Sequence, residues 1–187
     1  MTWLNSSEVE SLGFLHIGNN VLLSRKASYY NCSNIEISDN SRIDDFCVLS
    51  AGEGGICIGK NVHIAVYSSL IGNGKITIND FSGLSSRVSI YSSNDDYSGM
   101  AMTNPTIPPE FTNVYHADIY IGKHVIIGSG SIVLPGVTLE DGVAIGALSL
   151  VSKNCKEFTI YAGSPLKKIK SRDRQLLEVE HRLLNKQ

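Results

Sequence analysis

An aliphatic residue returns at every sixth position through Ile121, Ile127, Val133, Leu139, Ile145 and Val151. Four positions after each stands a second residue small enough for a tight interior: Val125, Ser131, Val137, Val143, Ser149 and Cys155. An α-helix brings side chains to one face every three or four residues and a half-buried strand every second, so neither generates this beat. It is a repeat, and hexapeptide repeats mark a β-helix in which each flat face takes one hexad and turns its aliphatic residue into the bore. Three such faces close a coil, so Gly128 and Gly146, eighteen residues apart, fall at equivalent corners of successive coils. A single coil cannot bury its apolar side, and its stability must come from the coils above and below. The expected fold is an all-β solenoid.

The beat extends over most of the chain. Ile17 and Leu23 open the first coil, and Ile37, Ile43 and Leu49 mark the three faces of the second. Ile58, Ile64 and Leu70 mark the third coil, and Ile78, Leu84 and Ile90 the fourth. Extra residues at Cys32 to Asn34, Ala51 to Gly55 and Asn73 to Lys75 fall between coils, where Gly and Asn accept the backbone angles of a corner. Residues 1–13 read as a capping helix, with Ser6 or Ser7 as N-cap, Val9 and Leu12 on its apolar side and Gly13 at its end. Residues 14–170 form the repeat domain, and 171–187 a C-terminal α-helix with Leu176, Leu177, Leu183 and Leu184 on one stripe. The beat stops after Ile90, and residues 91–118, with three prolines, form a long inserted loop. Loops of that length inside a domain are uncommon unless they serve a function. This one mixes acids, amides, hydroxyls and aromatics rather than linker residues.

A net charge of -2 and the absence of a basic stripe over the body argue against a nucleic-acid partner. The N-terminus has no basic region followed by an apolar run, and no segment approaches eighteen uninterrupted apolar residues. No stable membrane insertion is expected, and the location expected is cytoplasmic. The four cysteines, Cys32, Cys47, Cys57 and Cys155, show neither a CxxC spacing nor a nearby histidine pair, so no metal site is expected. Cys47 and Cys155 fall on the small inward position of their hexads, where a thiol behaves as a small hydrophobe.

The hexads IGKHVI, IGSGSI and IGALSL, followed by YAGSPLKKIK, resemble the hexapeptide-repeat, left-handed parallel β-helix acyltransferases that use acyl-CoA. The strings NVLLSRKAS, RIDDFCVLS, SSRVSIYSSNDDYSG, NPTIP and KHVIIG are similar to the nucleotide-amino-sugar N-acyltransferase of the anthrose pathway, and these include the loop as well as the repeat. The resemblance implies left-handed coils and a homotrimer. It also implies coenzyme A as the acyl carrier, with acetyl-CoA expected as donor, and a nucleotide-linked amino-dideoxy sugar of O-antigen or capsule biosynthesis as acceptor.

At residue level it implies a pantetheine arm lying against the small corners Gly128, Ser129, Gly146 and Ala147, with Lys153, Lys167, Lys168 and Lys170 placed for the phosphates of coenzyme A. Asp95 and Asp96 at the loop root match the acidic pair of the anthrose enzyme. Asp95 is expected to hold the amine and take up its positive charge, its backbone N–H facing the developing oxyanion. Ser85, Ser86 and Asn94 are candidate contacts to sugar or pantetheine, and Asp44 and Asp45 further substrate contacts. Many O-acetyltransferases of this fold carry a histidine where this chain has Asn94. A hydroxyl acceptor benefits greatly from a base, whereas a sugar amine is already partly unprotonated just above neutral pH, so Asn94 favours N-acylation. His63 and His116 are the rival bases, and they carry the alternative of a sugar or polysaccharide O-acetyltransferase. His16, His124 and His181 read as surface or corner residues. A non-catalytic β-helix scaffold is the remaining alternative. A carbonic anhydrase of this architecture is set aside because its zinc-histidine spacing is missing.

Overall fold

The computed structural model describes residues 2–185; Met1, Lys186 and Gln187, assigned above to the cap and the terminal helix, lie outside the described residues. Stacked coils build three parallel sheets, one per face. The first contains His16–Ile17, Ile35–Ile37, Ile56–Ile58, Ile76–Ile78, Ile119–Ile121 and Thr138–Leu139. The second runs through Leu22–Leu23, Arg42–Ile43, His63–Ile64, Gly83–Leu84, Ile126–Ile127 and Ala144–Ile145. The third holds Ser28–Tyr30, Val48–Ala51, Ser69–Gly72, Ser89–Tyr91, Ile132–Val133 and Leu150–Val151.

The register is the one the beat expects. Leu23, Ile43, Ile64, Leu84, Ile127 and Ile145 stand directly above one another on the second face, and each is at most 3% exposed. The residues four positions on are also buried, Cys47, Val88, Val125, Val137, Val143 and Cys155 among them. Burial pushes the Cys47 and Cys155 thiols up to about 11. Inward serines avoid the cost of a lone buried hydroxyl by bonding the backbone of the next coil. Ser82 Oγ donates to the Gly122 carbonyl at 2.8 Å and accepts from the Val125 N–H at 3.1 Å, and Ser41 repeats the device with Gly59 and Val62.

The three corners are chemically distinct. At the first, Asn20, Asn40, Asn61, Phe81 and His124 adopt the left-handed backbone, and Asp39, Asp80 and Asp141 cap amides of the preceding coil at 2.7–2.8 Å. At the second, Phe46, Tyr67, Arg87 and Leu148 take the same conformation, which costs a non-glycine residue roughly 1–2 kcal/mol. Stacking of Phe46 on Tyr67, with ring centroids 4.9 Å apart, offsets part of that cost. The third corner absorbs the variable lengths: Cys32–Asn34 forms a 3₁₀ turn there, and residues 91–118 leave the solenoid from it.

Two termini differ in detail from the sequence reading. Helix α1 spans Ser6–Leu12, and its N-cap is Asn5 rather than Ser6 or Ser7, because the Asn5 side chain accepts from the Glu8 N–H while Glu8 reaches back to Asn5. The C-terminal helix, α2, spans only Gln175–Leu184. Before it, Thr159–Ala162 and Lys167–Ser171 pair as an antiparallel hairpin that closes the second face, and Arg172 extends it by donating to the carbonyls of His124 and Gly142 at 2.7 and 3.0 Å. Helix α2 docks through Glu180, which accepts from Lys123 at 3.0 Å and lies 2.8 Å from His124, while Leu177, Leu183 and Leu184 stay exposed. His124 is therefore a clasp residue stacked on Phe81, not a free surface histidine.

Because each column residue is held by two neighbouring coils, truncation within it is felt by both. Ile127→Ala is expected to lower the unfolding free energy by about 2–5 kcal/mol, read from a urea denaturation curve.

Candidate active site

The second corner carries a column of small residues. Ser85, Gly128, Gly146 and Ala162 each follow an inward residue of the second face, and each donates or stacks onto the coil above: Ser85 N–H to Ile127 at 2.9 Å, Gly128 to Ile145 at 2.8 Å and Gly146 to Tyr161 at 2.8 Å. The contact is tight. A Cβ at Gly128 would lie 2.5 Å from the Ala147 amide nitrogen, so the close stacking of these corners depends on glycine. Gly128, Ser129, Gly146 and Ala147 thus occupy equivalent corners one coil apart. Lys167 pairs with Ala162, which puts a cation at the end of the column, and Lys168 and Lys153 are exposed nearby in sequence.

Beside this column the second face opens into a groove of ≈ 370 Å³ lined by His63, Ala65, Gly83, Ser85, Ser86 and Ser129. An ideal Cβ on Gly83 would meet nothing within 4 Å, so the groove exists because that strand position lacks a side chain. His63 faces it with its side chain 51% exposed, and its Nε2 lies 2.9 Å from Oδ2 of Asp44. Asp44 is nearly buried, and its Oδ1 accepts from Arg42 Nε at 2.6 Å.

The inserted loop makes a second cavity. Ser93–Asn94 and Tyr115–His116 pair antiparallel at its root, and Met102 bridges Thr112 farther out. Ser93 Oγ accepts from the Asn73 N–H and lies 2.7 Å from His116 Nδ1, which ties the loop to the solenoid. Beneath it lies an open cavity of ≈ 860 Å³ lined by Asn94, Asp95, Asn104, Ile107, Val114 and His116, among others. Asp95 is exposed at this cavity. Asp96, next to it, does not line the cavity: its Oδ1 accepts from the Ser98 N–H at 2.8 Å, and the Ser98 hydroxyl together with that N–H holds its carboxyl below the usual carboxylate range.

The fold therefore brings the sequence candidates together in two groups that share no lining residue. His63, Ser85, Ser86 and Ser129 meet in the groove, and Asn94, Asp95 and His116 meet under the loop. Asp44 reaches the groove only through His63, and Asp45 turns away from it: its carboxylate takes a hydrogen bond from Ser24 and sits 3.7 Å from Lys26. Sequence reasoning missed Gly83, Ala65, Ala162 and the Arg42–Asp44 support of His63. Ala162 escaped because the closing coil spans sixteen residues from Ile145 to Tyr161, two short of the beat. Among the described residues no group of three side chains is placed to hold a metal ion.

Residues 118–153 match the family model described as bacterial transferase hexapeptide (six repeats). The chain is 57% identical over 180 residues to the dTDP-4-amino-4,6-dideoxy-D-glucose acyltransferase of Escherichia coli, covering 96% of this chain and 94% of that one. Among solved structures it superposes on AntD, an N-acyltransferase from Bacillus cereus, in complex with dTDP and 3-hydroxybutyryl-CoA, with TM-score 0.92 and 43% identity over 98% of this chain and 97% of that one. A serine-to-alanine variant of AntD in complex with dTDP-4-amino-4,6-dideoxyglucose and coenzyme A gives TM-score 0.94 and 43% identity, covering 100% of this chain and 99% of that one.

The tie at the loop root can be cut alone. Ser93→Ala removes the oxygen shared by Asn73 and His116, and amide hydrogen exchange within residues 94–115 is expected to accelerate while global stability falls by only about 1–2 kcal/mol.

Proposed function

Because this chain belongs to the hexapeptide-repeat acyltransferase family of the dTDP-4-amino-4,6-dideoxy-D-glucose acyltransferase, we propose that it transfers an acyl group from coenzyme A to the amine of a dTDP-linked 4-amino-4,6-dideoxy sugar. The observation that carries this reading is the pairing of a small-residue column, ending in Lys167, with a loop cavity that presents Asp95. Acetyl-CoA is the proposed donor. The product, still linked to dTDP, is an activated sugar for a glycosyltransferase, which fits O-antigen or capsule assembly. No helix among the described residues is long and apolar enough to cross a membrane, and we place the enzyme in the cytoplasm, where acyl-CoA is made.

The chemistry follows from what each group offers. The column Ser85, Gly128, Gly146 and Ala162 lets a thin pantetheine arm lie against backbone, with Ser86, Ser129 and Ala147 flanking it and Lys153, Lys167 and Lys168 meeting phosphate charge. Asn94 orients the sugar, and Asp95 takes the proton that the attacking nitrogen sheds on bonding to the acyl carbon. The two groups lie on either side of the third face, so one chain does not bring them together. Their union requires the loop of one copy to cover the groove of the next, as a cyclic trimer provides. Asp96 serves this site by shaping the turn after Asp95, and His116 by anchoring the loop through Ser93. Neither needs to touch the reacting atoms. Asp45 is removed from the substrate contacts by its bond to Ser24.

Mass spectrometry of reactions with acetyl-CoA or 3-hydroxybutyryl-CoA and dTDP-4-amino-4,6-dideoxyglucose, beside its 4-hydroxy counterpart, tests the reading. An acyl mass gain on the amino sugar alone is expected, and Asp95→Asn is expected to lower kcat by about 10²–10⁴-fold. A gain on the hydroxy sugar alone, or none on either, contradicts it.

A further inference from the structure

Resting on the acyl-transfer reading above, we infer that His63 gives the departing sulfur its proton and that buried Asp44 is the positioning residue that fixes the His63 imidazole for this step. Asp44 is held as few surface carboxylates are. Its side chain is 5% exposed, its backbone N–H donates to Ile64, and its two oxygens face different partners, Arg42 Nε at 2.6 Å and His63 Nε2 at 2.9 Å. A buried carboxylate is costly unless paired, and Arg42 supplies that pairing. The second oxygen is directed at an imidazole that is itself half exposed to the groove.

That geometry fixes which nitrogen does what. A carboxylate only accepts, so Nε2 carries a hydrogen toward Asp44, and Nδ1 is the nitrogen a ligand in the groove meets. The following coil leaves the way clear: Gly83 stands beside His63 in register, its Cβ position empty out to 4 Å, and Ile126 stands one strand farther. Among the described residues, the charged groups facing His63 are Asp44 and Arg42 of the preceding coil; the groove otherwise presents neutral Ser85, Ser86 and Ser129. Arg42 also lies with its guanidinium 5.3 Å from the Trp3 ring, which joins the dyad to the N-terminal cap.

The step balances. The sugar nitrogen bonds to the acyl carbon, and the carbon–sulfur bond breaks with its electron pair on sulfur. The ammonium proton passes to Asp95. Nδ1 of doubly protonated His63 donates to the sulfur, leaving a neutral imidazole whose Nε2 hydrogen still points at Asp44, and solvent returns the proton from Asp95 to His63. Asp95 and His63 thus act on opposite sides of the bond exchange.

Steady-state kinetics of the full-length enzyme with acetyl-CoA and dTDP-4-amino-4,6-dideoxyglucose decide the matter. His63→Asn is expected to lower kcat about 10²-fold and Asp44→Asn about 10-fold, with both KM values within about twofold of wild type. The double variant should be no slower than His63→Asn alone, since Asp44 acts through His63. An undiminished kcat in His63→Asn overturns the proposal, as does a double variant whose losses multiply. A wild-type enzyme that releases no coenzyme A with the amino sugar overturns the acyl-transfer reading and this inference with it.

Discussion

Every feature of the site hangs on one constraint, the backbone ladder that holds each coil at a fixed height over the last. Parallel strands set adjacent coils about 4.8 Å apart, and the inward column of Leu23, Ile43, Ile64, Leu84, Ile127 and Ile145 holds the register because a slip of one residue would turn each aliphatic chain to solvent. Once the ladder is fixed, so are the corners. Ser85, Gly128, Gly146 and Ala162 then form a straight column, and the buried carboxylate of Asp44 comes level with the imidazole of His63 one coil away. The geometry of the candidate site is inherited from stacking geometry.

Length varies at one corner only. Two corners keep theirs, with the aspartate caps of Asp39, Asp80 and Asp141 at one and the stacked Phe46 and Tyr67 at the other. The third is tied between coils by side chains as well, Asn31 donating to the Ala51 carbonyl and Asn73 Oδ1 accepting from the Glu53 N–H, and it still takes the 3₁₀ turn at Cys32–Asn34 and the whole inserted loop. A loop emerging there is separated from its own groove by the width of the third face, and the two share no lining residue. This is the physical reason for assigning the completed site to neighbouring copies.

Much of the fold was legible because a hexad beat leaves few architectures open. Faces, register and the corner position of insertions follow from Ile17 to Val151 without knowledge of side-chain contacts. The chemistry was less legible. Asp44 and Asp45 look alike as a DD pair, yet alternation at a corner buries one between Arg42 and His63 and turns the other toward Ser24 and Lys26. Asp95 and Asp96 divide in the same way, one lining the loop cavity and the other closing a turn on Ser98. Gly83 gave no signal, since its meaning lies in an absent side chain next to a histidine twenty residues earlier. Ala162 was hidden by the shortened closing coil, and the start of α2 by Arg172, whose guanidinium keeps the chain in the sheet for longer than propensity suggests.

Complementation between two inactive variants co-expressed with different tags tests whether the site is shared between copies. Asp95→Asn disables the loop cavity, and Gly83→Leu fills the groove at a position where the fold has room for a side chain. Mixed trimers purified through both tags, assayed for coenzyme A release with the dTDP-amino sugar, should recover about a third of wild-type turnover, because one of three directional interfaces pairs an intact loop with an intact groove. Mixed trimers as inactive as either parent would contradict a site shared between copies and would place the loop and the groove in separate roles.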